Sequence, residues 1–184
     1  TKIVIEPLFE ADFKECSFGF RPERSATDAL EAIRLLGNRG HRYVVDGDIK
    51  SYFDTIEHGN LMELVKRRIS DRRVLKLLRQ WLKAGVLEEG TLRPTVLGSP
   101  QGGVISPVLS NLYLNDVDKM LEKAKEVTRY GKYEALEYAR FADDLAILVD
   151  AHPRHEWLLK AVEKRLREEL AKLAGPRASL LKVR

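Results

Sequence analysis

Between Tyr138 and Val149 two apolar runs are separated only by Asp143-Asp144, and no other stretch restricts the fold as far. Two residues between runs of strand-forming side chains is β-hairpin spacing, so an antiparallel pair with acids at its turn is expected. A second β-like run, Tyr43–Ile49, carries Asp46 and Asp48. Ile3-Val4-Ile5 also reads as a strand. The remainder is largely helical. Ser25 or Thr27 caps a helix over residues 25–37, where Ala29, Leu30, Ile33 and Leu36 keep a 3.6 period and Gly37, Asn38 and Gly40 end it. Leu61, Leu64, Val65 and Ile69 form one helical stripe and Val74, Leu77, Leu78 and Trp81 another, joined at a Ser70-Asp71 cap. Residues 86–97 suggest a hairpin, followed by a Gly/Pro-rich loop from Gly98 to Gly103. Ser106-Pro107 then opens a helix by the cap-then-proline rule, with Leu109, Leu112, Tyr113 and Val117 inside. A last amphipathic helix turns Leu158, Val162, Leu166, Leu170 and Leu173 inward. Strands, hairpins and helices mixed in this way argue for an α+β fold, not a doubly wound parallel sheet.

With 184 residues and 44% hydrophobic content the chain can bury a core, which excludes general disorder. Lys and Arg number 32 against 28 Asp and Glu, a net +4 that permits nucleic-acid binding without demanding it. A single cysteine, Cys16, excludes a disulfide framework and a multi-cysteine zinc site. No apolar run approaches the roughly 18 residues of a membrane span, and no signal peptide opens the chain. A soluble, intracellular protein is the expectation. The start at Thr1 and the stop at Arg184, each beside an apolar run, suggest a fragment or a processed chain.

The acids carry the functional argument. With 11 aspartates in 184 residues, chance alone gives about 0.7 adjacent pairs, so placement matters more than occurrence. At a tight turn between apolar strands, at least one carboxylate sits near low-dielectric surroundings, a cost that a divalent cation removes. An exposed acidic turn is the plain alternative. If the strand ending at Asp48 lies beside the hairpin, Asp48 and Asp143 face each other, and shared hard oxygen ligands are what Mg²⁺ prefers. Asp48 paired with Lys50 or Arg140 is the bland counterpart. The loop Gly98-Ser99-Pro100-Gln101-Gly102-Gly103, followed by a helix N-terminus, suits a phosphate, sugar or base edge.

Four motifs follow one another in order: Ser17-Phe18-Gly19-Phe20-Arg21-Pro22 with Arg24-Ser25; Asp48-Ile49-Lys50 to Phe53-Asp54; Ser99 to Pro107 with Asn111-Leu112-Tyr113-Leu114-Asn115; and Phe141-Ala142-Asp143-Asp144. Over about residues 3–150 this set resembles the reverse transcriptases of bacterial group II introns and their close relatives. The resemblance implies the palm of a right-hand polymerase with part of the fingers. Residues 1–42 would be the fingers side and 43–184 the palm, with a helical insertion over 58–84; upstream fingers and a downstream thumb would lie outside the chain. It implies RNA-directed DNA synthesis from a DNA primer and dNTP on an RNA template, in association with a structured RNA. A bacterial cytoplasmic setting, no membrane and a homodimer of the full-length protein are compatible with it.

By the same resemblance Asp48, Asp143 and Asp144 are the catalytic acids. Together with Ile49 they are the residues at two Mg²⁺ ions, for which Mn²⁺ can substitute. Phe53 matches the bulky residue under the sugar that excludes a 2′-hydroxyl. Gln101 and Gly102 match the loop lining the nucleotide and templating base, and Ala142 the small residue beside the primer end. Arg21 and Arg24 match a basic segment near the template path, and Lys182 is a candidate proton donor. Two departures stand out: Phe141 where the turn motif usually has Tyr, and Glu23 where Gly usually precedes Arg24-Ser25. A non-catalytic RNA-binding or maturase-like piece with vestigial acids is the alternative, and a metal-dependent phosphoryl hydrolase a third class. Elsewhere plain readings prevail: His152 and His155 in a surface loop, Cys16 buried and inert, Trp81 and Trp157 in the core. Lys66-Arg67-Arg68 with Arg72-Arg73 fits RNA phosphates and a solvated helix face equally.

Overall fold

The computed structural model describes residues 2–49, 52–83, 86–88, 91–93, 98, 103–174 and 181–183. Its elements in chain order are α1 (Lys2–Glu10), α2 (Ala26–Asn38), β1 (His41–Ile49), α3 (Tyr52–Thr55), α4 (His58–Lys66), α5 (Arg72–Lys83), β2 (Val86–Glu88), β3 (Thr91–Arg93), α6 (Ser106–Thr128), β4 (Leu136–Phe141), β5 (Asp144–Asp150), α7 (Glu156–Ala174) and β6 (Leu181–Val183). Antiparallel strands in the order β4-β5-β1-β6 form the main sheet, and β2-β3 a separate hairpin. The α+β expectation holds. None of the described helices is long and apolar enough to cross a membrane.

Alternation along the strands divides the sheet into two unlike faces. Val45 and Ile49 of β1, Leu145, Ile147 and Val149 of β5, and Leu136 and Tyr138 of β4 join the hydrophobic core. That core is closed by α6 and α7, which bring Leu109, Tyr113, Val117 and Leu121, and Leu158, Val162, Leu166 and Leu170. On the opposite face α2 lies against β4, β5 and β1, while Asp46 and Asp48 face outward beside it. The open remainder of this face is where the acids stand.

Local chemistry accounts for most element ends. Ser25 caps α2 in a reciprocal box with Asp28, each side chain bonding the other's backbone N–H. Asp71 Oδ1 accepts from the N–H groups of Arg73 and Val74 at 2.7 and 3.2 Å, capping α5 as expected. The cap of α6 falls one residue early, on Ile105, which has no side-chain cap bond, so Ser106 is buried inside the first turn.

Three expectations are corrected. Residues 3–5 are helical: Ile5 and Phe9, one turn apart, enter the core, and burying two such side chains outweighs the β preference of an Ile-Val-Ile run. Trp81 and Trp157 are at the surface, the latter 60% exposed. In α5 the core positions are Leu75, Leu78 and Leu82, which rotates Trp81 off the buried stripe. Leu30 of α2 likewise points largely to solvent.

Candidate active site

β4 and β5 pair in register, Phe141 opposite Asp144, so Ala142 and Asp143 make the two-residue turn and Asp144 opens β5. β1 pairs antiparallel on the other side of β5, with Asp48 opposite Asp144 and Asp46 opposite Ala146. The register therefore sets three predicted acids at one end of one sheet face. Asp48 and Asp143 are half-buried and Asp144 is exposed. Burial, chiefly, and then the charges of Asp144 and Asp48 hold the Asp143 carboxyl above the usual carboxylate range. The bland pairing of Asp48 with Arg140 does not occur, because Arg140 points into the core on the other face and binds Asp118. A groove of about 310 Å³ runs from the acids under α2, lined by Ala29, Leu30, Ile33, Asp46, Phe141 and Asp144 among others.

Ala142 adopts φ +57°, a left-handed conformation that costs a residue with a Cβ about 1 kcal/mol. The segment before α2 presses on it. Phe18 N–H donates to Arg140 O, and Arg140 N–H donates to Cys16 O, both at 2.8 Å. A Cβ on Gly19 would lie 2.2 Å from Ala142 N, so the residue here has to be glycine. The sequence reading placed no role on Gly19, Ser17 or Asn111, whose only signal was membership in the ordered motifs, and gave Arg140, just outside them, only the bland pairing with Asp48.

Aromatic side chains border the turn. Phe20, which is about half exposed, meets Phe53 and Phe141 at ring separations of 6.5 and 6.3 Å, and Phe53 also packs edge-on against Tyr52 at 5.5 Å. Phe53 is thus held between a buried tyrosine and an exposed phenylalanine that sequence reasoning did not single out. Glu23, where the related motif has Gly, has φ +58°; the backbone keeps the conformation that glycine takes without strain.

The two predicted arginines are occupied differently. Arg21 is buried, paired with Glu10, bonded to the carbonyls of Lys14 and Ser17 at 2.6 and 2.8 Å, and stacked on Phe13. It anchors the segment to α1 instead of presenting a cation to a template. Arg24 is less enclosed, pairs with exposed Glu15 and lies over Phe18. Gln101 and Gly102 lie outside the described residues. For Lys182 only backbone register is described, opposite Asp48. Arg67 and Arg68 pair with Asp116 and Asp12, and Lys66 with Glu63, which favours the solvated-face reading of that cluster. His152 caps a 3₁₀ turn and His155 bonds Asp150 at 2.6 Å. Burial pushes the Cys16 thiol up to about 12, the inert state expected.

Among the described residues no three His, Cys, Asp or Glu side chains are gathered into a metal cage. Asp48, Asp143 and Asp144 nonetheless suit a hard divalent ion chemically. They are oxygen donors on two adjoining strands and the turn that leads into one of them, and one carboxylate is destabilised by burial and by the other two.

The sequence model of the family described as "Reverse transcriptase (RNA-dependent DNA polymerase)" matches residues 1–175. The chain belongs to that family. Among curated relatives of this reverse transcriptase domain, it is 39% identical to Protein YkfC of Escherichia coli (strain K12) over 174 residues, covering 80% of this chain and 46% of the relative. It is 42% identical to the group II intron-encoded protein LtrA of Lactococcus lactis subsp. cremoris over 125 residues, covering 67% of this chain and 20% of the relative. The chain thus spans less than half the length of either. The structure of apo telomerase from Candida Tropicalis truncated from its C-terminal domain superposes with a TM-score of 0.68 at 16% identity, over 94% of this chain and 37% of that one. This establishes a shared polymerase palm-and-fingers fold.

Proposed function

We propose that the chain is the palm with part of the fingers of an RNA-directed DNA polymerase of group II intron type, residues 1–42 on the fingers side and 43–184 in the palm with a helical insertion over 58–84. The observation that carries this reading is the register setting Asp48 opposite Asp144, with Asp143 in the adjoining turn. The reaction is attack by a primer 3′-hydroxyl oxygen on the α-phosphorus of a dNTP. The new P–O bond forms as the bond to the bridging oxygen breaks, pyrophosphate departs, and the hydroxyl proton passes to solvent.

Asp48 and Asp143, with Asp144 at the edge and the Ile49 carbonyl (its side chain being apolar), are the groups to hold two Mg²⁺ ions, or Mn²⁺ in their place. When bound, such ions stabilise the attacking and leaving oxygens of an in-line displacement. The remaining roles belong to the protein. Ala142, small and fixed in its turn, leaves room for the primer end. Phe53, wedged between Tyr52 and Phe20, stands rigidly beneath the sugar and excludes a 2′-hydroxyl. Gln101 and Gly102 line the nucleotide and templating base, and the open face beside α2 admits the primer–template. Of the two arginines only Arg24 remains a candidate near the template. A structured RNA as partner, a dimer of the full-length protein and a bacterial cytoplasmic setting belong to the same proposal.

Primer extension on an RNA template by the full-length protein tests it. Asp143→Ala should abolish extension under Mg²⁺ while leaving RNA binding intact. An intact parent that extends no primer refutes the polymerase reading in favour of an RNA-binding maturase-like role.

A further inference from the structure

Arg140 lies on the core face of β4, on the strand that leads into the acidic turn, and is fully buried. A guanidinium has five N–H donors in a fixed plane, and here each has an acceptor. Nε donates to Asp118 Oδ1 at 2.8 Å, one terminal nitrogen to Asp118 Oδ2 at 2.6 Å and Ser17 Oγ at 2.8 Å, and the other to Asn111 Oδ1 at 3.1 Å and Ala142 O at 2.8 Å. Three of the acceptors sit on α6, one on the segment before α2, and one is the turn itself. Asn111 extends the network by donating to Gly19 O at 2.7 Å, from the glycine whose backbone abuts Ala142.

Removing an ion pair from water costs about as much as it returns, so a buried pair is weak evidence for stability. Its geometry is more informative. Ala142 sits at φ +57° without being glycine, and the bond from Arg140 to its carbonyl fixes the orientation of the peptide that joins Ala142 to Asp143. We infer that Arg140 is a positioning residue for the catalytic turn: through the Ala142 carbonyl it locks the left-handed peptide that aims the Asp143 carboxylate along the sheet face toward Asp48. The inference rests on the assignment of Asp143 given above. Lysine cannot substitute, since a single ammonium with three donors cannot span five acceptors arranged around a plane.

The test uses the full-length protein and two readouts, primer extension and Mn²⁺ binding followed by electron paramagnetic resonance. Arg140→Lys should lower kcat on the order of 10²-fold, the cost of misplacing a reacting group by about 1 Å, with little change in KM for dNTP. It should also weaken Mn²⁺ binding by roughly tenfold or more, as loss of an outer-shell partner does. Adding Ala142→Gly, which takes the left-handed peptide without strain, should recover most of both losses while recovering only a small part of the Tm lowered by Arg140→Lys. A purely structural role predicts no such separation. If Arg140→Lys does not fold, Asp118→Asn, which keeps one of the two acceptors and removes the charge, takes its place in both measurements. A folded variant with parental kcat and Mn²⁺ affinity overturns the inference, as does a loss that Ala142→Gly fails to rescue. A parent inactive in extension that still binds Mn²⁺ refutes the polymerase reading alone, with the Mn²⁺ titration then deciding the positioning role. A parent that binds no Mn²⁺ overturns both.

Discussion

Gly19→Ala should be among the most damaging single-methyl additions in this protein. The new Cβ would fall 2.2 Å from Ala142 N, 2.9 Å from Phe141 C and 3.0 Å from Ala142 Cα. Ordinary contact begins near 3.4 Å, so the segment and the turn must part by about 1 Å, and since the opposing atoms are backbone no rotamer change relieves them. Overpacking of this kind costs about 3 kcal/mol at the upper end of its range. The same displacement stretches the paired bonds between residues 16–18 and Arg140 and the Asn111 bond to Gly19 O, each worth about 1 kcal/mol. For a domain of this size about 3 kcal/mol corresponds to a Tm lower by about 6–12 °C. Thermal unfolding followed by circular dichroism measures it, with Gly37→Ala as the paired control. A Cβ at Gly37, inside α2, meets nothing within 4 Å, so the same substitution there should stabilise by up to about 1 kcal/mol. If Gly19→Ala lowers Tm by less than about 2 °C, the close approach of segment and turn is not a structural constraint.

Other substitutions separate strain, anchoring and charge. Glu23→Gly should raise stability by up to about 1 kcal/mol, because glycine relieves a left-handed residue at φ +58°, and a lower Tm would contradict the assigned backbone. Arg21→Ala should cost about 2–4 kcal/mol by stranding Glu10 and two carbonyls, yet change the salt slope of RNA binding by less than the roughly 0.9 expected of one phosphate contact. A full-unit change would return Arg21 to the template path. Asp143 has its pKa raised by folding, so the native state holds its proton more tightly than the unfolded chain does, and stability drains away as pH climbs from the ordinary value of 3.8 through the raised one. Asp143→Asn should therefore have a higher Tm than the parent at pH 7, the difference shrinking as pH falls through the raised value and gone below about 3.8. An advantage independent of pH would show that the carboxylate's charge is not its source.

The acidic hairpin, the capped α2, the helical stripes of α4 and α7 and the Asp71 cap were legible because each is written in neighbouring residues, as a period, a cap or a turn. The acid site was legible through the order of four motifs, although only the β1–β5 register brings Asp48 to Asp144 across nearly a hundred residues of chain. Long-range partners decided what local signals could not. Ile3-Val4-Ile5 carries a strand's composition, but a helix there lets Ile5 and Phe9 reach the core and leaves Ile3 and Val4 in solvent. Trp81 and Trp157 sit outside because leucines one or two positions away take the buried face. Arg21 and Arg140 carry the same side chain as the surface cations, and nothing beside them in sequence marks them as buried. What buries them is the arrival of Glu10, Asp118, Asn111 and Ser17 from other elements. Periodicity and capping act within a few residues, so one sequence displays them. The satisfaction of a buried charge depends on which distant groups packing brings within about 3 Å, and that is determined only when the whole chain has folded.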